Sequence, residues 1–254
     1  MLVNRVKQAL REGRAQLGTS YGCLRSPEIA RILAAAGFHW AFIDAEHGSV
    51  GFETVADICR ACNQAGLCPV VRVADLQYDL VARALDNGAQ GIMLPRMESP
   101  ELLEKAISWT KYPPVGVRGF GLTPFHVDYA KATIGEIMAH MNEQVMVVFQ
   151  IETMRGFEAR HELLSVPGVD AVMIGPVDFS IALGHPGDFL NPKVVAAMEA
   201  VRDACVAKGV APGTQTRNLQ LGKFWRERGM RFLGCSSEVG MMFERGVEIT
   251  SALA

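Results

Sequence analysis

No run of about 18 consecutive apolar residues, the length a membrane-spanning helix needs, occurs in the 254 residues of this chain. A transmembrane helix is therefore not expected. An excess of one charge is lacking too. Lys and Arg number 25 against 27 Asp and Glu, a formal net charge of −2. No basic stripe stands out, which removes the electrostatic case for nucleic acid. The first 17 residues read as an amphipathic helix carrying Arg5, Lys7, Arg11 and Arg14, without the apolar centre of a secretory signal. Glu12 among those arginines argues against a mitochondrial presequence, and a cytoplasmic location is expected. Ser/Gly linkers, low-complexity tracts and long repeats are missing, so residues 1–254 read as one domain. Cysteine is sparse: the six, at 23, 59, 62, 68, 205 and 235, are scattered. Without a secretory signal they read as reduced core residues. Cys59 and Cys62 are formally C-x-x-C. They lie mid-helix with no second pair and no histidine nearby, so packing is the expected role.

What the chain does have is apolar sequence, 49% of it, arranged in short β-branched runs that alternate with helical patterns. Strands are expected at Gly18–Cys23, Trp40–Ala45, Pro69–Val73, Gly91–Pro95, Val145–Glu152, Ala171–Gly175, Val210–Thr214 and Phe232–Cys235. The runs are continuous rather than alternating, as strands buried on both faces of a parallel sheet require. Between them, Ser26-Pro27-Glu28 opens a helix with Ile29, Ile32, Leu33 and Ala36 on one face and Gly37 at its end. Asn191-Pro192 opens another, with Val194, Val195, Met198, Val201 and Cys205 as its stripe. Eight strand–helix units in a chain of this length favour a closed (β/α)8 barrel, a TIM barrel, over an open sheet. One connection, Lys111 to Glu143, is long, and loops of that length often carry function.

Barrel active sites form at the carboxyl ends of the strands. The second expected strand ends in Asp44-Ala45-Glu46-His47-Gly48 and the third in Arg72. The fifth ends in Gln150-Ile151-Glu152, Gly175-Pro176-Val177-Asp178 follows the sixth, and Gln215 follows the seventh. Taken singly, these residues have plainer readings. Asp178 fits a helix cap, Arg72 a surface partner for Asp75, and His47 an ordinary loop histidine. Taken together, they bring acid, base, cation and amide groups to one rim. Glu152 and Asp178 end adjacent strands, and paired carboxylates with water and substrate oxygens suit Mg2+ or Mn2+. Lysine is scarce where an imine mechanism would need it. The seven lysines, at 7, 105, 111, 131, 193, 208 and 223, fall in predicted helices or loops and none on a strand end. That favours metal over imine electrophilic catalysis.

These residues resemble the HpcH/HpaI aldolases, metal-dependent class II pyruvate aldolases related to the citrate lyase β subunit. The resemblance runs through Gly37-Phe38, Asp44-Ala45-Glu46-His47, Val70-Val71-Arg72, the stretch from Tyr112-Pro113-Pro114 to Arg118-Gly119, Gln150-Ile151-Glu152-Thr153, Gly168 to Ser180, and Ala211-Pro212-Gly213. It spans nearly the whole chain. The resemblance implies Glu152 and Asp178 as metal ligands for Mg2+, Mn2+ or Co2+. It implies His47 as the acid/base residue, held by Asp44, and Arg72 as the contact to the keto or enolate oxygen. Gly175, Pro176, Val177 and Asp178 would form the pyruvate carboxylate site, with the amides of Val177 and Asp178 as its cradle. Gln150 would support a metal-bound water. Asp86 matches a residue that reaches a neighbouring subunit's histidine. Family members form homo-oligomers, hexamers, with the last helix exchanged between subunits.

The chain departs from the family at three places. Thr19-Ser20-Tyr21 stands where relatives often have tryptophan. Gln215-Thr216-Arg217-Asn218 is polar where they are apolar, and Asp-Ala-Glu-His replaces Asp-Gly-Glu-His. Ser20, Tyr21, Gln215 and Arg217 therefore read as a polar pocket on the aldehyde side. The expected reaction is reversible cleavage of a 4-hydroxy-2-oxo acid to pyruvate and an aldehyde. Two rivals are a citrate-lyase-like or malyl-CoA-type lyase, which would show a basic surface for CoA, and a barrel kept for ligand binding alone.

Overall fold

Eight parallel strands pair in chain order and close on themselves. They are β1 (Gln16–Ser20), β2 (Trp40–Asp44), β3 (Cys68–Arg72), β4 (Gly91–Leu94), β5 (Met146–Ile151), β6 (Ala171–Ile174), β7 (Ala211–Thr216) and β8 (Phe232–Ser237). The computed structural model describes residues 1–121 and 127–254. Helices α1 (Arg5–Arg11), α2 (Glu28–Ala35), α3 (Phe52–Ala65), α4 (Tyr78–Asp86), α5 (Pro100–Trp109) and α6 (Ile134–Gln144) precede β5. Helices α7 (Met154–Glu158), α8 (Arg160–Leu163), α9 (Pro176–Ala182), α10 (Pro192–Ala207), α11 (Leu219–Glu227) and α12 (Glu238–Leu253) follow it. The expected (β/α)8 barrel is what the chain forms. The long connection from Lys111 contains α6, opened by a Thr133–Glu136 capping box; its residues 122–126 lie outside the described ones.

The continuous apolar runs are explained by two separate cores. Alternate strand residues point inward, where Trp40, Phe42, Val70, Met93, Val148, Met173 and Phe232 fill the barrel, with Val6 and Leu10 of α1 joining them. The others point outward, where Ile43, Val71, Ile92, Phe149 and Ile174 meet the helices. Inside, Trp40 stacks on Phe232 with ring centroids 4.0 Å apart. Gly18 makes that possible, since a Cβ there would lie 2.2 Å from the Trp40 ring. Any larger residue would overpack the barrel.

Helix α1 closes the end of the barrel opposite the strand carboxyl ends. Lys7, on this helix, is buried. Its Nζ donates to the Val145 carbonyl at 2.8 Å and pairs with Asp170 at 3.2 Å. The Lys111 Nζ donates to the same carbonyl at 3.1 Å and to that of Asn142 at 2.7 Å. Burial, reinforced by the charge of Lys7, pushes the Lys111 ammonium down to about 8. Both lysines thus serve the start of β5, far from the rim formed by Asp44 and Arg72.

The first strand differs from expectation. It runs over Gln16–Ser20 rather than Gly18–Cys23. The chain leaves the sheet there because the N–H groups of Gly22, Cys23 and Leu24 donate to Glu238 Oε1 at 2.8, 2.7 and 3.1 Å. β7 and β8 run two residues past their expected ends, since Thr216 still pairs with Cys235 and Ser237 with Ser20 of β1. At the other extreme of the chain, α12 leaves Met242, Phe243, Val247, Ile249 and Leu253 exposed.

Candidate active site

The site is assembled from the carboxyl ends of β2, β3, β5, β6 and β7. Asp44 closes β2 and starts a tight turn. Its Oδ1 accepts the N–H of Glu46 at 3.0 Å and that of His47 at 3.3 Å, an aspartate turn of the usual kind. Gly48 completes it, because a Cβ there would lie 2.2 Å from the Asp44 carbonyl oxygen. The ladder sets Asp44 directly beside Arg72. Arg72 Nε and Nη2 donate to Asp44 Oδ1 and Oδ2 at 2.9 and 2.6 Å, a two-pronged fork. Its Nη1 lies 3.0 Å from Glu46 Oε2 and donates to Gln150 Oε1 at 3.4 Å. Burial works against the Asp44 carboxylate, yet Arg72 and the two amides hold its pKa below the usual value.

Arg72 is therefore no surface partner of Asp75. The Asp75 carboxylate accepts from the Leu76 N–H and the Gln77 side chain, at 2.7 and 2.8 Å. Asp44 does not hold the His47 ring either. It holds the His47 backbone and orients Arg72, while the His47 side chain is exposed and lines the cleft.

Glu152, just past β5, is 3% exposed. Its Oε1 accepts the Arg96 N–H at 3.1 Å. Arg96 has a φ of 47°, a left-handed conformation that costs a non-glycine residue energy and here aims an amide at a carboxylate. Gly175 makes room on the other side. A Cβ there would lie 2.5 Å from Glu152 Oε2 and 3.2 Å from Gln150 Nε2. Gly175 is also the N-cap of α9, with Pro176 at the first helical position. Asp178 thus lies in the first turn of α9 and is not its cap. Burial pushes the Glu152 carboxyl up to about 7; Glu46 and Asp178 add to the effect and Arg72 opposes it.

A divalent cation fits this set. Glu46 and Asp178 each lie near enough to Glu152 for their charges to act on it, and Glu46 Oε2 is buried without a hydrogen-bond partner. Its contact to Arg72 is an ion pair out of hydrogen-bond alignment. Among the described residues no three His, Cys, Asp or Glu side chains cluster tightly enough to enclose an ion. The protein would therefore supply two carboxylates, leaving other positions to water and substrate oxygens, the habit of Mg2+ and its like.

A cleft of about 300 Å3 joins these groups. Of the expected site residues, His47, Arg72, Gln150, Gly175, Pro176, Val177, Asp178 and Gln215 line it, with Glu152 packed against Gly175. Tyr21 does not. Its ring is 1% exposed in the layer between strands and helices, and its hydroxyl donates to the Ser26 carbonyl at 2.7 Å. Burial, aided by Cys62 and Glu238, raises its pKa. Gln215 borders the cleft with its donor spent, because Nε2 reaches Ser20 Oγ at 3.3 Å and the Ser236 carbonyl at 3.0 Å. Asp86 ends α4, which leads down to the start of β4, so it lies at the far end of its own barrel. There it accepts from Arg118 Nη2 at 2.6 Å. Two contributors carried no role in the sequence reading. Glu46 is signalled by its place two residues into an aspartate turn. The Arg96 amide has no sequence signal, since any residue could supply it.

The model of the family described as HpcH/HpaI aldolase/citrate lyase matches residues 20–243. The 4-hydroxy-2-oxo-heptane-1,7-dioate aldolase of Klebsiella pneumoniae is 34% identical over 253 residues, covering 98% of this chain and 93% of that protein. The hydroxypyruvate/pyruvate aldolase of Pseudomonas aeruginosa is 32% identical, over 94% of this chain and 89% of that one. The crystal structure of an HpcH/HpaI aldolase from Desulfitobacterium hafniense superposes with a TM-score of 0.91 at 31% identity, over 97% and 95% of the two chains. On this evidence the chain belongs to the HpcH/HpaI aldolase/citrate lyase family and is a carbon–carbon lyase.

Proposed function

We propose that the protein reversibly cleaves 4-hydroxy-2-oxo acids to pyruvate, or a related 2-oxo acid, and an aldehyde. The observation that carries this is the convergence of Glu152, Asp178, Arg72 and His47 around one cleft at the strand ends. The names of relatives, an aldolase of a 4-hydroxy-2-oxo acid and one of hydroxypyruvate and pyruvate, agree with it.

Glu152 and Asp178 would hold Mg2+, Mn2+ or Co2+, which when bound supplies Lewis-acid stabilisation to a 2-oxo acid enolate. The amides of Val177 and Asp178, in the first turn of α9, receive the substrate carboxylate. Arg72, fixed by Asp44, holds a positive charge beside the 2-oxo oxygen as it becomes an enolate oxygen. Gln150, steadied by Arg72, orients water in the site. His47 takes the proton of the 4-hydroxyl as the C3–C4 bond breaks. The bonding electrons pass to C3 and into the enolate, the aldehyde departs, and a proton then returns to C3. Histidine suits the step because its ordinary pKa lies near neutrality.

The reading extends to assembly. The apolar side chains that α12 leaves exposed would be covered by another copy in a homo-oligomer, a hexamer built by exchange of that helix. Asp86, remote from His47 in its own chain, would reach the His47 of a neighbour only in such an assembly.

The test is product formation. A panel of 4-hydroxy-2-oxo acids incubated with the protein and a divalent ion should yield equal amounts of aldehyde and 2-oxo acid from at least one member. A panel that gives no 2-oxo acid at all would overturn the reading.

A further inference from the structure

The part of the cleft beyond β7 has a composition of its own. Leu221 and Trp225, one turn apart on α11, wall it on one side, and Phe189 joins them from the connection after α9. The polar groups there are Gln215, Thr216 and Arg217. Gln215 has spent its amide donor on Ser20 and Ser236. The Thr216 hydroxyl donates to the Gly234 carbonyl at 3.2 Å. Arg217 differs from both. Its side chain is exposed, borders the cleft, and makes no hydrogen bond or ion pair with any described residue.

A guanidinium is a fork of donors with no acceptor, matched to carboxylate and phosphate oxygens. Leu221, Trp225 and Phe189 give this part of the cleft an apolar wall suited to a short carbon chain. We infer that Arg217 reads a terminal anion, carboxylate or phosphate, at the far end of the aldehyde. The substrates of this chain are thus aldehydes with an oxyanion at the end remote from the reacting carbonyl. This rests on the aldolase reading above and adds a residue that sets specificity within it.

The experiment compares kcat/KM for aldol addition of pyruvate to three aldehydes of matched length, ending in a carboxylate, a phosphate or a hydroxyl. Wild type should favour at least one anionic aldehyde over the hydroxyl-terminated one by about 10-fold, the lower end expected for a charged hydrogen bond on an exposed lip. The anionic substrate with the larger ratio identifies which oxyanion the lip takes. Arg217→Gln should bring the ratio to about 1, Arg217→Lys should keep part of it, and Arg217→Glu should invert it. High salt should shrink the wild-type ratio, because the charge is solvent-facing. Exchange of the pyruvate methyl protons in D2O, which needs no aldehyde, is followed in parallel. Exchange without preference among the three aldehydes, or a preference that survives Arg217→Gln, overturns the inference alone. Absence of exchange with the divalent ion present overturns both it and the aldolase reading.

Discussion

Arg72→Met should lower kcat/KM for aldol cleavage by about 10²–10³-fold, the loss seen when one fixed electrostatic contact to a developing oxyanion is removed. The same substitution should destabilise the fold, by up to about 3 kcal/mol. Both effects come from one arrangement. Arg72 is 6% exposed, forks onto Asp44 and lies against Glu46. Without it Asp44 and Glu46 remain as partly buried carboxylates with no cation between them, and breaking a buried pair in this way costs more than forming it gained. Arg72→Lys should not rescue activity, because an ammonium cannot make the two-pronged contact that fixes the group. Steady-state kinetics and urea midpoints check both halves. Near-normal activity and an unchanged midpoint in Arg72→Met would show that Arg72 neither meets the developing oxyanion nor holds the Asp44 turn.

His47→Ala should behave in the opposite manner on stability. As the general base, His47 should contribute about 10²–10⁴-fold to kcat. Its side chain is exposed and its tie to the fold is the backbone N–H given to Asp44, which alanine keeps. The urea midpoint should therefore stay within about 0.5 kcal/mol of wild type, and the divalent ion should bind as before. A variant that loses the ion would make His47 a ligand instead of a base. A variant that keeps its kcat would make it an ordinary loop residue.

The barrel was readable because a strand buried on both faces has a distinctive composition. Ile43, Val71, Val148 and Ile174 sit in runs with no polar alternation, and both cores use them. Chain order then delivers the strand ends to one rim without further information. Contacts between distant residues were not readable. Asp75 is three positions from Arg72, whereas the true partner, Asp44, is 28 positions away and is brought in by the β2–β3 ladder. The place of Tyr21 depends on a distant contact too. Its expected place at a strand end depends on where β1 stops, and that is decided by Glu238, 216 positions from Gly22. Once the chain turns at Ser20, the ring goes to the outer layer and not to the cleft. Gln215 is likewise tied up by Ser20, 195 positions away. The burial of Lys7 under the barrel depends on contacts with Val145 and Asp170, 138 and 163 positions away.

The central claim, that Glu152 and Asp178 hold a divalent ion which makes a pyruvate enolate accessible, is tested most directly by proton exchange at the pyruvate methyl group in D2O. The protein supplied with Mg2+ or Mn2+ should exchange these protons well above the rate of the ion alone. Chelation should abolish that exchange, added ion should restore it, Glu152→Gln should lack it, and borohydride with pyruvate should trap no covalent adduct. Undiminished exchange in the presence of chelator, together with a borohydride-trapped lysine, would contradict the account.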